Sequence, residues 1–173
     1  GHMTQSIKTT QDTRSIDLVS VLNDFLLLYA DTLFGARGIR IETALPKLEL
    51  PVRINRDNLK QIVLNLWKNA SEALVEGKLV KISVSDNIIH DGASYVQLRV
   101  DDNGPGMSEE TMQAIYRPKP ISDTSQRGIG LSVIGSLARQ EGILITCRSQ
   151  IGVGTSIALL IPKNRSATPG NSA

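Results

Sequence analysis

Asp102-Asn103-Gly104-Pro105-Gly106 sets a carboxylate and two glycines at the end of an alternating stretch. From Tyr95 onward, Val96, Leu98 and Val100 fall on one side and Gln97 and Arg99 on the other, the period of a half-buried strand. Continued, the alternation places Asp102 on the apolar side and turns Asp101 toward water. A carboxylate at that position is costly unless a hydrogen-bond donor meets it. The glycines let the backbone turn tightly and approach a ligand closely. Two chemistries fit. One is recognition of a planar donor group, for which the exocyclic amine of adenine is suited. The other is a turn whose aspartate bonds its own backbone.

Upstream, Leu59, Ile62, Val63, Leu66, Ala70, Ala73 and Leu74 cluster on one face of a helix, and Asn58, Asn65, Asn69, Glu72 and Glu76 run beside that face. A polar stripe at the edge of a core can line a pocket. The Asn69 side-chain oxygen suits Mg²⁺, which takes few protein ligands when phosphates supply the rest. A plain solvated flank has the same pattern. Asn65 is an amide and cannot act as a general base. Glu72 is a candidate base, with a solvated helix glutamate as the simpler reading. Downstream, Gly128 and Gly130 precede a helix, where backbone amides and the helix dipole favour an anion. Arg127 and Lys119 bracket the preceding loop, either to meet a phosphate or as solvated cations. Gly152-Val153-Gly154-Thr155 makes a second tight turn, and Thr155 by itself reads as a β-branched residue starting a strand.

The elements that must hold these residues are legible from periodicity and punctuation. Ile16 to Ala36 reads as a helix ended by Gly35 and Gly38, and Ile39 to Leu45 and Val52 to Ile54 as strands. Asn55 is the expected N-cap of the second helix, which runs to about Glu76. Lys78 to Asn87 is a strand, and His90, Asp91 and Gly92 form the loop leading to the strand that ends at Asp102. Ser108 caps a short helix over Glu109 to Tyr116, the stretch Pro118 to Arg127 reads as a mobile loop, and helix resumes over Ile129 to Gln140. Ile143 to Ser149 and Val153 to Ile161 close as a hairpin. The order, with short turns between strand pairs, predicts an α+β two-layer sandwich: one mixed, mostly antiparallel sheet covered on one face by three helices. Residues 1–13 form a flexible lead-in with a cloning remnant at Gly1-His2-Met3, residues 14–163 the domain, and residues 164–173 a disordered tail. The chain is expected to be a piece of something longer.

Composition narrows the function classes. The 173 residues suit one domain, and a net charge of +2 implies no polyanionic partner. Aromatics are 3%, too few for stacking on single-stranded nucleic acid, so no nucleic-acid partner is expected. Cys147 is the single cysteine and falls in an apolar strand pattern, which excludes a disulfide framework and predicts a buried thiol. No apolar run reads as long enough to span a bilayer, so no membrane contact by this domain is expected.

The four elements, Asn65 to Ala70, Asp102 to Gly106, Arg127 to Leu131 and Gly152 to Thr155, stand in an order and spacing that resemble the nucleotide-binding boxes of the GHKL superfamily. They are most similar to the ATP-binding catalytic domain of sensor histidine kinases. The resemblance covers about residues 14 to 163 and implies a Bergerat-type sandwich. It implies ATP and Mg²⁺ as cofactors and Asn65 and Asn69 as catalytic positions, with Asn69 on the metal. Asp102, Gly104, Gly106, Arg127, Gly128, Gly130, Leu131 and Thr155 are then the nucleotide-binding set. It implies that residues 118–127 are a short ATP lid, with Ile115-Tyr116-Arg117-Pro118 in place of a phenylalanine-rich segment. In ATP-hydrolysing relatives the position of Asn65 resembles a water-activating glutamate, so this chain is expected to conserve ATP for transfer. The phosphoacceptor histidine would sit on a separate dimerisation domain, because His90 lies in a hairpin loop, and a response regulator and a cytoplasmic location follow from the same likeness. An anti-sigma-type serine kinase, a nucleotide-binding module without transfer and a hydrolase are the alternatives.

Overall fold

A computed structural model describes residues 13–117 and 126–163. Strand β1 (Thr13–Asp17) leads into helix α1 (Leu18–Leu33) and a 3₁₀ turn (Gly35–Arg37). Strands β2 (Arg40–Ala44) and β3 (Pro51–Asn55) precede helix α2 (Arg56–Ala73). The hairpin β4 (Leu79–His90) and β5 (Ala93–Asp102) leads to the short helix α3 (Glu109–Tyr116), then α4 (Gln126–Glu141) and the closing hairpin β6 (Leu144–Gln150) and β7 (Gly154–Pro162).

Five strands form the main sheet in the order β2-β4-β5-β7-β6. Only β2 and β4 run parallel; the other pairs are antiparallel. Burial alternates strictly along β7, with Thr155, Ile157, Leu159 and Ile161 inward. Their partners on β5, Asp102, Val100, Leu98 and Val96, share that face. The helices cover this face, as expected. The other face carries a cross-strand row Glu42, Lys81, Asp101, Ser156 and Arg148, whose charges keep it solvated.

The expected single sheet needs correction. β3 leaves it and pairs antiparallel with β1, from Thr13 opposite Asn55 to Asp17 opposite Pro51. The helix expected from Ile16 begins only at Leu18, and Ile16 belongs to β1. Strand partners so far apart in sequence leave no local signature. Three smaller boundaries also move. α2 stops at Ala73, because Leu74 adopts an extended conformation and is buried. β4 continues to His90 past a bulge at Asn87 (φ 56°), and Asp91 and Gly92 (φ 48° and 79°) make a two-residue turn. His90 is therefore a strand end rather than a loop residue, half exposed with Nε2 3.4 Å from the Asp91 carboxylate. The tail and the lid residues 118–125 lie outside the described residues.

By length and composition Leu18–Arg37 is apolar enough to cross a bilayer, with a mean hydropathy of 1.4 over its best window, contrary to the sequence reading. In this fold Leu18, Leu22 and Phe25 on that segment are packed into the core, while Leu27 and Leu28 are exposed. α2 lies between its neighbours: Ser71 on one flank donates to Leu33 O at 2.6 Å, and Asn58 on the other flank reaches α4. Trp67, absent from the expected apolar face, is fully buried on the Ser71 flank.

At the bulge, Lys163 Nζ lies 2.8 Å from Asp86 Oδ1 and donates to Asn87 Oδ1 at 3.2 Å. Burial pushes the Asp86 carboxyl up, but the Lys163 hydrogen bond, the Asn87 N–H and the Lys163 charge outweigh it and hold the carboxyl below its ordinary value. A depressed folded-state value means the carboxylate stabilises the fold above the unfolded carboxylate range and loses that contribution as pH falls through the folded value. Asp86→Asn is expected to lower stability in urea at pH 7 by at most about 1 kcal/mol. The wild-type advantage should shrink as the pH falls below the ordinary carboxylate range; a deficit that persists once Asp86 is protonated would show that the ion pair is not its source.

Candidate functional site

The site is assembled at the end of the sheet where β5 and β7 open into turns. Asp102 is the last residue of β5, half-buried, on the helix-covered face and in register with Thr155 on β7 and Val80 on β4. Its Oδ1 accepts the Gly104 N–H at 2.9 Å. The self-capped turn foreseen as an alternative is thus real. It engages one carboxylate oxygen, leaving the side chain's place on the inner face unchanged.

Backbone is packed on backbone around this carboxylate, which explains the glycines. A β-carbon on Gly154 (φ 149°) would overlap the Asp102 carbonyl oxygen, and one on Gly106 (φ 78°) would overlap the Gln150 carbonyl. A β-carbon on Gly104 would stand 2.8 Å from a Leu74 methyl and 3.1 Å from Asp102 Oδ1. The two turns are also stitched by hydrogen bonds. Gly152 N–H donates to Pro105 O at 2.8 Å. Ser149 Oγ accepts the Met107 N–H at 2.7 Å, donates to Gly154 O at 3.1 Å and lies 2.7 Å from Thr155 Oγ1. Sequence reading missed Ser149. Its one signal is its place opposite Thr155 across the closing hairpin. Thr155 is 5% exposed, and its hydroxyl is engaged with Ser149.

The second wall is the flank of α2 that carries the asparagine stripe. Asn69 is 4% exposed. Asn65, one turn earlier, donates from Nδ2 to Gln61 O at 2.8 Å, and its Oδ1 lies 3.4 Å from where a β-carbon on Gly130 would stand. Asn58 and Asn65 of the stripe therefore face α4. Glu72, by contrast, is exposed, as its simpler reading expected.

Gly128 and Gly130 require a correction. α4 starts at Gln126, so both glycines lie inside its first turns instead of preceding it. Glycine costs only about 1 kcal/mol in a helix interior, which packing on α2 can offset. Leu131 is fully buried, so its side chain belongs to the core. Lys119 and the Arg127 side chain lie outside the described residues. The structure thus brings Asp102, Gly104, Gly106 and Thr155 into one cluster and Asn65, Asn69 and Gly130 along the adjoining helix wall.

Among the described residues no group of three His, Cys, Asp or Glu side chains could hold a metal on its own. One asparagine oxygen beside a helix interface fits Mg²⁺ that arrives with the oxygens of a phosphate chain, and does not fit a metal bound by protein alone.

Comparison with known proteins follows the same lines. A family model described as histidine kinase-, DNA gyrase B- and HSP90-like ATPase matches residues 54–165. The adaptive-response sensory kinase SasA of Prochlorococcus marinus is 33% identical over 154 residues, which is 83% of this chain and 39% of that protein. The sensor histidine kinase ZraS of Klebsiella oxytoca is 31% identical over 87% of this chain and 32% of its own length. The chain thus spans about two fifths or less of these curated relatives. Among solved structures, the catalytic domain of histidine kinase ThkA superposes with a TM-score of 0.72 at 23% identity, covering 88% of this chain and 98% of that one. The mycobacterial sensor histidine kinase MprB gives 0.69 at 18% identity, over 88% and 98%. Matched by the family model over residues 54–165 and by the fold of these catalytic domains, the chain belongs to the histidine kinase-, DNA gyrase B- and HSP90-like ATPase family, as an ATP-binding catalytic domain of the sensor histidine kinase kind.

Proposed function

We propose that this domain binds Mg·ATP between α2 and α4 and passes the γ-phosphoryl group to a histidine on a helical dimerisation domain outside this chain. A response regulator then takes the phosphoryl group, and the reaction takes place in the cytoplasm. The observation that carries the reading is the placement of Asp102: a carboxylate on the inner face, pinned between two glycine turns, next to a helix wall lined with amides. Asp102 would accept a hydrogen bond from the adenine amine, with Thr155 and the glycine turns shaping the purine end. Asn69 would contribute an oxygen to Mg²⁺, which when bound neutralises phosphate charge. Gly128 and Gly130 would let the phosphates approach α4, with Arg127 as a further charge partner. Asn65 cannot deprotonate water, so the domain would hold ATP intact until a better nucleophile is presented. Phosphoryl transfer asks mainly for positioning and charge stabilisation, which such a constellation supplies.

The test is transfer from labelled ATP to a separately expressed histidine-bearing helical domain of the parent kinase, with a serine-bearing anti-sigma-type partner as comparison. Label is expected on the histidine domain alone. Asn69→Ala is expected to raise the Mg²⁺ concentration for half-maximal transfer about tenfold. Label on the serine partner, or tight Mg·ATP binding with no transfer to either, would overturn the kinase reading.

A further inference from the structure

Glu141 is the last residue of α4. A carboxylate there opposes the partial negative charge of its own helix end. Nor is it required to cap that helix, because Gly142 N–H donates to Arg139 O at 3.3 Å and Ile143 N–H to Ala138 O at 2.8 Å. The carboxylate crosses to α2 instead. Oε2 accepts from Asn58 Nδ2 at 2.5 Å, and Oε1 faces the Asn55 N–H at 3.4 Å. Asn55 is the N-cap of α2, and its Oδ1 takes the Asn58 N–H at 2.9 Å. The negative group therefore sits over the positive end of the helix that carries Asn65 and Asn69.

We infer that Glu141 is a positioning residue for the phosphate end of the nucleotide site, because it clamps the C-terminal end of α4 to the N-terminal end of α2. The inference rests on the proposed Mg·ATP site. α2 is already fixed on its other flank, where the Arg37 guanidinium donates to Ser71 O and Oγ and Ser71 donates to Leu33 O. α4 is the facing wall, packed on the core through Leu131, Ile134 and Ala138 and tied to α2 at its C-terminal end by Glu141. Gly130 lies eleven residues before Glu141, about 16 Å along a straight helix. At that point α4 meets Asn65. Releasing the clamp lets α4 tilt and widens the gap there. The Asp102 turn does not depend on this contact, since it is held by β4, β7 and Ser149.

The clamp predicts a split between two ligands of the full chain. In Glu141→Ala, Mg·ATP affinity by calorimetry is expected to fall about tenfold, because small misplacements of aligned groups are costly. Adenosine affinity, followed by NMR titration, should change less than about twofold, since adenosine reaches only the Asp102 end. Glu141→Gln keeps an acceptor for Asn58 and should restore most of the Mg·ATP affinity. Asn58→Ala should match Glu141→Ala, and the double variant should be no weaker than either single one. Equal loss for both ligands, with a lowered melting temperature, would reduce Glu141 to a structural residue and overturn the inference, as would unchanged Mg·ATP binding. If the wild-type chain binds adenosine but shows no gain from Mg·triphosphate, the underlying site assignment fails instead.

Discussion

Asp102→Asn should fold like the wild type and lose adenine nucleotide binding. The substitution is isosteric. The amide oxygen can still accept the Gly104 N–H that Oδ1 accepts at 2.9 Å, so the turn is kept. What is lost is the charge and one acceptor, replaced by an NH₂ that faces the adenine amine donor to donor. A buried polar group built for one hydrogen-bond pattern discriminates strongly against its reverse, so ATP affinity should fall on the order of hundredfold or more. The same reasoning applies to the base: guanine presents an acceptor where adenine presents a donor, and wild type should prefer ATP over GTP by a comparable factor. Calorimetry with ATP, ADP and GTP on both proteins, beside far-ultraviolet circular dichroism, reads both effects. If Asp102→Asn binds ATP as tightly as wild type, or if GTP binds equally well, the carboxylate does nothing more than cap its own turn.

The largest effect on stability is expected at Gly154. Its φ of 149° lies outside the range that L side chains favour, and an added β-carbon would overlap the Asp102 carbonyl oxygen. Strand β7 would have to move off β5 at the point where their register begins. Overlap with backbone cannot be relieved by a rotamer change, so Gly154→Ala is expected to destabilise by about 3 kcal/mol or more. Gly152 is the internal control. It too has a positive φ, 83°, but its β-carbon would meet nothing within 4 Å. Gly152→Ala therefore costs only the left-handed backbone penalty of about 1–2 kcal/mol. Urea unfolding of the two variants separates clash from conformational preference. Equal losses at the two positions would refute the close approach of Gly154 to Asp102.

How much of this was readable beforehand divides along a physical line. The alternation from Val96 to Asp102 put the carboxylate on the inner face, and the register with Thr155 agrees. The glycines around Asp102 announced tight turns and room for a ligand; that Gly106 and Gly154 press against the Gln150 and Asp102 carbonyls of the opposite turn comes from the tertiary fold. The apolar face of α2 and its Asn55 cap were equally plain, because periodicity and capping act over a few residues. The chain order of the four boxes carried the family.

Tertiary structure decided what depends on residues far apart in the chain. Nothing local told β3 to leave the main sheet for β1, or moved the start of α4 ahead of its glycines. Ser149 read as an ordinary strand serine until folding laid its hydroxyl between Met107, Gly154 and Thr155. Glu141 carries no local signal of a role, and its bond to Asn58 exists only because α2 is packed beneath the end of α4. A side chain's own sequence neighbourhood sets its secondary structure and the face it occupies. Which partner waits across that face is set by long-range packing, and most of the site's hydrogen bonds belong to that second class.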